Sequence, residues 1–238
     1  MTATPSPPST GNGDGDGKNV VVVVTGGDPL GDHAPPEGID GAVVVAADSG
    51  VDRAFEAGLP VHHAVGDFDS VSRHGLDRAA AARAELHVHP SMKDATDLEL
   101  ALDLALTFHP GEVLVLGGHG GRLDHFWANL EVLASAPYAG VTVRAWMGAA
   151  RVTIVRPVAA GATHLTGTAE DLVSLLPLHG PALGVTTEDL LYPLRDEDLA
   201  AGSTRGVSNR FLASHAAVVL TAGVLAAIQP GTPDEERP

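Results

Sequence analysis

Asp67 and Asp69, one residue apart in Gly66-Asp67-Phe68-Asp69-Ser70, are the side chains in this sequence best spaced to do chemistry. They follow a short apolar stretch, ending at Val65, that reads as a strand end. If the backbone stays extended through them, side chains alternate, so both carboxylates face one way and Phe68 the other. Two acids on one face repel each other unless a cation lies between them. Hard divalent cations prefer carboxylate oxygen, and Mg²⁺ takes one or two carboxylates, keeps waters and binds phosphate. The alternative is a turn with solvated acids.

The elements that must position this pair follow from the hydrophobic pattern. Asn19 to Thr25 is a β-branched run closing in Gly26-Gly27, and Ala42 to Ala47 is a second, followed by Asp48-Ser49-Gly50 and a helical segment, Val51 to Ala57. Val61 to Val65 reads as a strand, Leu76 to Ala84 as a helix, and Glu85 to His89 as a strand. A helix opens near Lys93 and runs to about Phe108, Glu112 to Leu116 is another buried strand, and a helix spans about Arg122 to Ser135. Strands alternating with helices predict an α/β fold with a mainly parallel sheet and flanking helices. In such sheets ligands bind beyond the carboxyl ends of the strands. The clusters Gly26-Gly27-Asp28, Asp48-Ser49-Gly50, Asp67/Asp69, Asp94/Asp97 and the Gly117-Gly118-His119-Gly120-Gly121 turn with Arg122 and Asp124 all fall there.

The glycine turn has the geometry, strand to loop to helix N-terminus, in which free backbone N–H groups point at an anion, and Arg122 adds a planar fork suited to phosphate oxygens. A glycine-rich connection with no ligand is the alternative. It is not a Walker loop, because no Gly-Lys-Ser/Thr follows. Asp124 in the first helical turn can simply complement the helix dipole. Thr96 and Glu99 form a capping-box pattern, which leaves Asp97 free at the helix start, and Lys93 just outside can reach a phosphate. His87 and His89 alternate on one strand and His62-His63 are adjacent, but no His-x-x-x-His pair occurs, so a histidine-rich polar surface is favoured over a zinc site.

From about Arg151 the rhythm changes to short β-like segments (Val152 to Val155, Leu172 to Leu175, Ala217 to Leu220) separated by Gly, Pro and Asp, predicting a smaller all-β, sandwich-like domain. The expected division is a disordered tail over 1–18, an α/β domain over 19–148, a β-domain over 149–231 and a flexible C-terminus over 232–238. Ser208 and Asn209 can hydrogen-bond a heterocycle, though a turn is the favoured reading of those residues.

Composition narrows the function. The formal charge is −16 with only 14 basic residues, which argues against a nucleic-acid partner. A nucleotide ligand would therefore need a metal to offset charge. There is no cysteine, excluding disulfides and thiolate metal sites and fitting a cytoplasmic protein. The N-terminus lacks the apolar core of a signal peptide, and the apolar stretch Ala216 to Ile228 is too short to cross a bilayer.

Ala47-Asp48-Ser49-Gly50, Gly66-Asp67-Phe68-Asp69-Ser70, Lys93-Asp94-Ala95-Thr96-Asp97-Leu98-Glu99 and Gly117 to His125 resemble, in order and spacing, the motifs of the thiamine pyrophosphokinase (thiamine diphosphokinase) family. Ser174 to Leu178, Leu191-Tyr192-Pro193-Leu194 and Arg205 to Asn209 resemble its thiamine-binding β-domain. The resemblance implies ATP-dependent transfer of a pyrophosphoryl group to the hydroxyl of thiamine, giving thiamine diphosphate and AMP, by a homodimer. It implies Mg²⁺ on Asp67, Asp69 and Asp97, and ATP beside Gly26, Gly27, Asp48, Lys93, Gly120, Gly121 and Arg122. It also implies Asp124 positioning or activating the attacking hydroxyl, with Arg122 and Asp97 in the catalytic set, and thiamine on Ser208 and Asn209. Ser49 departs from the glycine frequent in that family. Competing readings are a pyrophosphokinase acting on a hydroxymethylpterin, a nucleotide-binding regulator without catalysis, and a structural α/β module.

Overall fold

Runs of valine and other apolar residues bounded by glycine, proline and aspartate form the central strands Val20–Thr25 (β1), Val43–Ala47 (β2), His63–Gly66 (β3), Glu85–Val88 (β4), Glu112–Leu116 (β5) and Thr142–Met147 (β6). The computed structural model describes residues 19–30, 38–159 and 161–231. The tail expected over 1–18 and the terminus expected to be flexible over 232–238 lie outside these residues. Among the described residues the strands order as β4-β3-β2-β1-β5-β6, and every neighbouring pair in that run is parallel.

The alternation of side chains along each strand decides which helix covers which face. Val21, Val23, Val45, Ala47, Val65, Val113 and Val115 pack against Leu98, Ala101, Leu102 and Ala105 of the helix Asp97–Leu106 (α3) and Leu130 and Leu133 of Leu123–Leu133 (α4). Val22, Val24, Val44, Ala46, Ala64, Leu114 and Leu116 face the other way, onto Val51 and Ala54 of Gly50–Glu56 (α1) and Ala79 of Arg73–Ala81 (α2). Each fully buried valine contributes about 1.5–3 kcal/mol of transfer free energy, so a sheet covered on both faces is favoured over an open one. The chain runs outward from β1 through β2 and β3 to β4, then returns to place β5 on the other side of β1. The strand order reverses there, and the crevice it leaves lies beyond the carboxyl ends of β1 and β5.

Beyond β6 the sheet continues in antiparallel fashion. Ala150–Val155 (β7), Ala222–Gln229 (β13), Leu172–Glu188 (β9), His215–Val219 (β12) and Thr163–Thr166 (β8) follow in spatial order, with Glu197–Leu199 (β10) and Asn209–Arg210 (β11) pairing with β9. The short strand read at Leu172 to Leu175 is the beginning of a much longer one, β9, because Pro177, Gly180 and Pro181 are accommodated within it. The apolar stretch Ala216 to Ile228 divides between β12 and β13 around a turn at Leu220-Thr221. A second core, including Leu175, Val185, Leu190, Leu194, Phe211 and Leu225, fills this part. The first core also draws on Val152, Ile154, Leu178, Val224 and Ala226, which come from beyond the expected 148/149 boundary.

Two glycines fix how tightly the layers approach. Gly50 opens α1 where a Cβ would overlap the Val24 carbonyl, and Gly206 lies where a Cβ would overlap the Leu175 carbonyl. Both overlaps are with backbone, which cannot rotate away. Gly50→Ala is therefore expected to destabilise the fold by about 1–3 kcal/mol, the usual cost of overpacking, even though alanine is the better helix former. Urea denaturation of the two proteins checks this; an unchanged midpoint would show that the α1–β1 contact has slack.

Candidate active site

The cleft at the switch point has a volume of about 660 Å³ and is lined by Gly26 and Gly27 after β1, Asp48 and Ser49 after β2, Asp67 and Asp69 after β3, Ser91, Lys93 and Asp97 between β4 and α3, and the turn from Gly118 to Arg122 after β5. Each cluster picked out at a strand end thus contributes to one cavity, although Asp28, Asp94 and Asp124 do not line it.

The segment carrying Asp67 and Asp69 is not extended as expected. Strand β3 ends at Gly66, whose φ is +147°, and Phe68 adopts the left-handed region at φ +60°. A bulky residue there is strained. The Phe68 ring is held by packing on the core between β-sheet, α1 and α2. The carboxylates nevertheless converge, by a loop and not by strand alternation: the Asp69 N–H donates to Asp67 Oδ1 at 3.5 Å. Asp48 joins them from the neighbouring strand. It too is left-handed, at φ +44°, with its N–H donating to Val65 O at 2.8 Å. One oxygen from each of Asp48, Asp67 and Asp69 lies within 4.8 Å of the others.

The electrostatics of the three differ. Burial, chiefly, pushes the Asp48 carboxyl above the ordinary carboxylate range; the hydrogen bond from the Ser49 backbone opposes this, while the charges of Asp97, Asp69 and Asp67 add to it. Its Oδ1 is buried and has no hydrogen-bond partner among the described residues. A hydrogen bond from Ser91, above all, holds Asp67 below its ordinary range. A buried, unpartnered carboxylate oxygen beside two further acids is the donor set a hard divalent cation satisfies, so these residues fit Mg²⁺.

Asp97, expected to hold Mg²⁺ with Asp67 and Asp69, lines the same cleft and is engaged by Lys93, whose Nζ lies 2.8 Å from Asp97 Oδ1 and 3.7 Å from Asp67 Oδ2. The approach to Asp97 Oδ1 is at hydrogen-bond distance but outside good hydrogen-bond geometry, so charge and not a directed bond holds the pair. Burial disfavours the Lys93 ammonium, but its contact with Asp97 and the charges of Asp97, Asp67 and Asp48 outweigh that and raise its pKa. The capping reading holds for Thr96, whose Oγ1 accepts from Glu99 N–H at 3.2 Å.

The glycine turn is built by close backbone approach. Gly27, at φ +120°, lies where a Cβ would overlap His119 O, Asp28 N–H donates to that oxygen at 3.0 Å, and Gly118 N–H donates to Gly26 O at 2.9 Å. Asn129 of α4, a residue the sequence reading assigned no role, anchors the turn through Nδ2 to Gly118 O at 3.0 Å. Gly120 and Gly121 are both left-handed, at φ +77° and +62°. The Asp28 carboxylate lies against Gly120, occupying the space a Cβ would take. Gly26 likewise leaves room for the Ser49 hydroxyl, which a Cβ there would overlap. At the mouth Arg122 grips Asp124 with both arms of its fork, Nε to Oδ1 at 3.1 Å and Nη2 to Oδ2 at 2.6 Å. The Arg122 pairing, chiefly, takes Asp124 down to about 2.

Ser208 and Asn209 do not line this cleft. Ser208 is left-handed at φ +57°, and its N–H donates to Ser174 Oγ at 3.1 Å. Asn209 is buried, and its amide clamps the Tyr192 loop: Nδ2 donates to Tyr192 O at 2.8 Å while Oδ1 accepts from Tyr192 N–H and Arg210 N–H, both at 2.9 Å.

A doubly wound α/β layer with an acidic cleft at its switch point, extended by an antiparallel β layer, defines the class of this protein. Residues 40–144 match the model of the thiamin pyrophosphokinase catalytic domain and residues 163–225 that of the thiamin pyrophosphokinase vitamin B1 binding domain. Thiamine pyrophosphokinase of Bacillus subtilis is 29% identical over 186 residues, covering 78% of this chain and 86% of that protein. The solved structure of a thiamin pyrophosphokinase family protein from Enterococcus faecalis is similar with a TM-score of 0.76 and 30% identity, over 90% of this chain and all of that one. Thiamin pyrophosphokinase from Candida albicans, 15% identical with a TM-score of 0.72 over 88% of this chain and 89% of that one, shares the fold. The chain belongs to the thiamin pyrophosphokinase family.

The Asp48 environment has a direct consequence. A carboxyl whose folded pKa lies above its unfolded value stabilises the fold less as pH rises, because the folded state must release a proton it holds more tightly. Asp48→Asn removes that cost, so the cation-free variant is expected to melt about 2 °C higher than the parent at pH 7.5. The difference should vanish as the pH falls and Asp48 itself becomes protonated. Scanning calorimetry in a chelating buffer, from pH 4.5 to 7.5, measures it; a variant less stable than the parent at pH 7.5 would mean that Asp48 is not under charge stress.

Proposed function

We propose that the chain transfers the pyrophosphoryl group of ATP to the hydroxyl of thiamine, giving thiamine diphosphate and AMP. Family membership makes it an enzyme of the thiamine pyrophosphokinase kind; ATP as donor, Mg²⁺ as cofactor and the roles of individual residues are our reading. The observation that carries it is the convergence of Asp48, Asp67 and Asp69 opposite the glycine turn in one cleft.

In this reading Asp48, Asp67 and Asp69 hold Mg²⁺, which when bound offsets phosphate charge and the charge that builds on the transferring group. Asp97 completes the acidic wall. The N–H groups of Gly120 and Gly121, just before α4, receive phosphate oxygens, with Gly26 and Gly27 packed beside them in the same wall. Lys93 and Arg122 are held in reserve on Asp97 and Asp124 and turn to the phosphates when these arrive. Asp28, which lies against Gly120, swings out. As Arg122 leaves Asp124, the carboxylate loses the partner that makes it so weak a base and becomes free to orient the thiamine hydroxyl and accept its proton.

Thiamine requires an apolar surface with a few polar groups, and Ser208 and Asn209 sit beside one: Leu191, Tyr192, Val207 and Leu212 are all substantially exposed. Since those residues lie off the cleft of their own chain, the reading is completed by a homodimer in which one chain's β-domain, 149–231, meets the other's catalytic domain, 19–148. No helix among the described residues is long and apolar enough to cross a membrane, and the reading places the enzyme in the cytoplasm, acting on ATP and thiamine and not on nucleic acid.

Incubation with ATP, Mg²⁺ and thiamine should give thiamine diphosphate and AMP by mass, with no product after chelation; transfer to a hydroxymethylpterin but not to thiamine would overturn the assignment. Asp124→Asn should lower kcat by about 10²-fold or more with little change in the KM for ATP. Near-parental turnover would remove Asp124 from the chemistry.

A further inference from the structure

On the face of the sheet packed by α3, away from the cleft, the parallel pairing of β3 with β4 places His63 opposite Glu85 and Val65 opposite His87. The pleat sends His63, Glu85 and His87 to the same side. His63 Nδ1 lies 3.2 Å from His87 Nε2, His63 Nδ1 lies 3.5 Å from Glu85 Oε2, and His87 Nε2 lies 3.7 Å from Glu85 Oε1. Donor atoms around a tetrahedral zinc ion, with metal–ligand bonds of about 2.0–2.1 Å, stand roughly 3.3–3.4 Å apart. The imidazole nitrogens are thus already at the separation of two ligands of one ion. The carboxylate oxygens need only a small rotation to join them.

We propose that His63, His87 and Glu85 form a binding site for a divalent transition-metal ion, Zn²⁺ in the first instance, with water in the remaining position. Two imidazoles and one carboxylate suit zinc and not magnesium, which prefers an all-oxygen shell. This set is separate from the aspartates of the cleft. The surroundings suit a ligand set as well. The Phe108 ring packs against His63 with centroids 5.0 Å apart, walling off one side, while Glu85 leaves the other open to solvent. Burial, above all, holds His63 below its ordinary pKa, against the charge of Glu85, so that its ring is neutral and competent to ligate at neutral pH.

The site would act on an edge strand of the sheet. β4 lies at the parallel end of the sheet and is mostly exposed, and its continuation carries His89, whose N–H donates to Gly66 O at 2.9 Å, then Ser91 and Lys93 in the cleft. A metal ion bridging β3 and β4 would clip that edge in register.

The test is calorimetric titration of the metal-stripped full chain with ZnCl₂ in saturating MgCl₂, repeated with Co²⁺ to record its visible d–d bands. One saturable site per chain is expected. His63→Gln, His87→Gln and Glu85→Gln should each weaken it at least about 10-fold, the scale reached by loss of even an outer-shell partner. Asp67→Asn/Asp69→Asn should leave it intact. Glu85 is exposed, so its variant reports on ligation even if a histidine variant misfolds by circular dichroism. The absence of a saturable site, or a site of equal affinity in Glu85→Gln and His87→Gln, overturns the proposal. Because the readout is binding of Zn²⁺ alone, its failure leaves the assigned transfer reaction untouched.

Discussion

Repulsion among carboxylates at the ends of β2 and β3 is the constraint around which the cleft is arranged. Separately, Asp48, Asp67 and Asp69 would each prefer water. The fold brings them within 4.8 Å by means it secures elsewhere. Parallel pairing of Ala47 with Val65 sets Asp48 beside Gly66. A Cβ at Gly66 would come within 3.3 Å of the Asp48 Cβ and 3.1 Å of Asp97 Oδ1, so the absence of a side chain there permits the crowding. Phe68 then reverses the loop in a backbone conformation costing of order 1–3 kcal/mol, offset by the packing of its partly buried ring against the core. Hydrophobic packing thereby holds charges in an arrangement that electrostatics alone would disperse.

The cations of the cleft are positioned by the same imbalance. With a formal charge of −16, the molecule has few positive groups to bring to the anionic substrate of the proposed function. Lys93 rests against Asp97 and Asp67, and Arg122 against Asp124. These pairs keep both cations in the cleft without a ligand, at the expense of occupying carboxylates of their own. The Lys93 pair is half-buried and gains more from the contact; the Arg122 pair is exposed and screened, so it exchanges partners more readily. In the proposed function an incoming phosphate would compete most easily for Arg122, at the mouth of the cleft.

Much of this was legible in the sequence where local pattern and tertiary position agree. The runs 20–25, 43–47 and 112–116 are strands because a sheet buried on both faces requires continuous apolar residues, and the strand-end clusters fall in one cleft because ligands collect at carboxyl ends. The failures share a cause: they depend on pairing between distant segments. β9 is read short because Pro177 and Gly180 locally signal a break, yet the Ala222–Gln229 strand pairs alongside and carries the ladder past them. The 67–69 backbone is read as extended because nothing local announces a left-handed phenylalanine. That Asp48 neighbours Asp67 and Asp69 follows only from the register of β2 on β3, which no local pattern shows. His63 and His87 are distant in sequence, and only the register of β3 on β4 brings them within 3.2 Å of each other.

The second half of the chain is held in relation to the cleft by backbone, not by a hinge. β7 and β13 extend the sheet that begins with the parallel strands β4 to β6, and Val152, Ile154, Leu178, Val224 and Ala226 share a core with α3 and α4. Asn209 in turn spends its amide on the Tyr192 loop, which fixes the exposed surface of Leu191 and Tyr192 before any ligand arrives. Preorganisation of that kind lowers the entropy lost on binding, but it also removes the freedom by which Ser208 and Asn209 would reach the cleft of their own chain. In the proposed function the missing half of the thiamine site must then come from elsewhere. A second copy, presenting the same fixed surface, supplies it without asking either chain to bend.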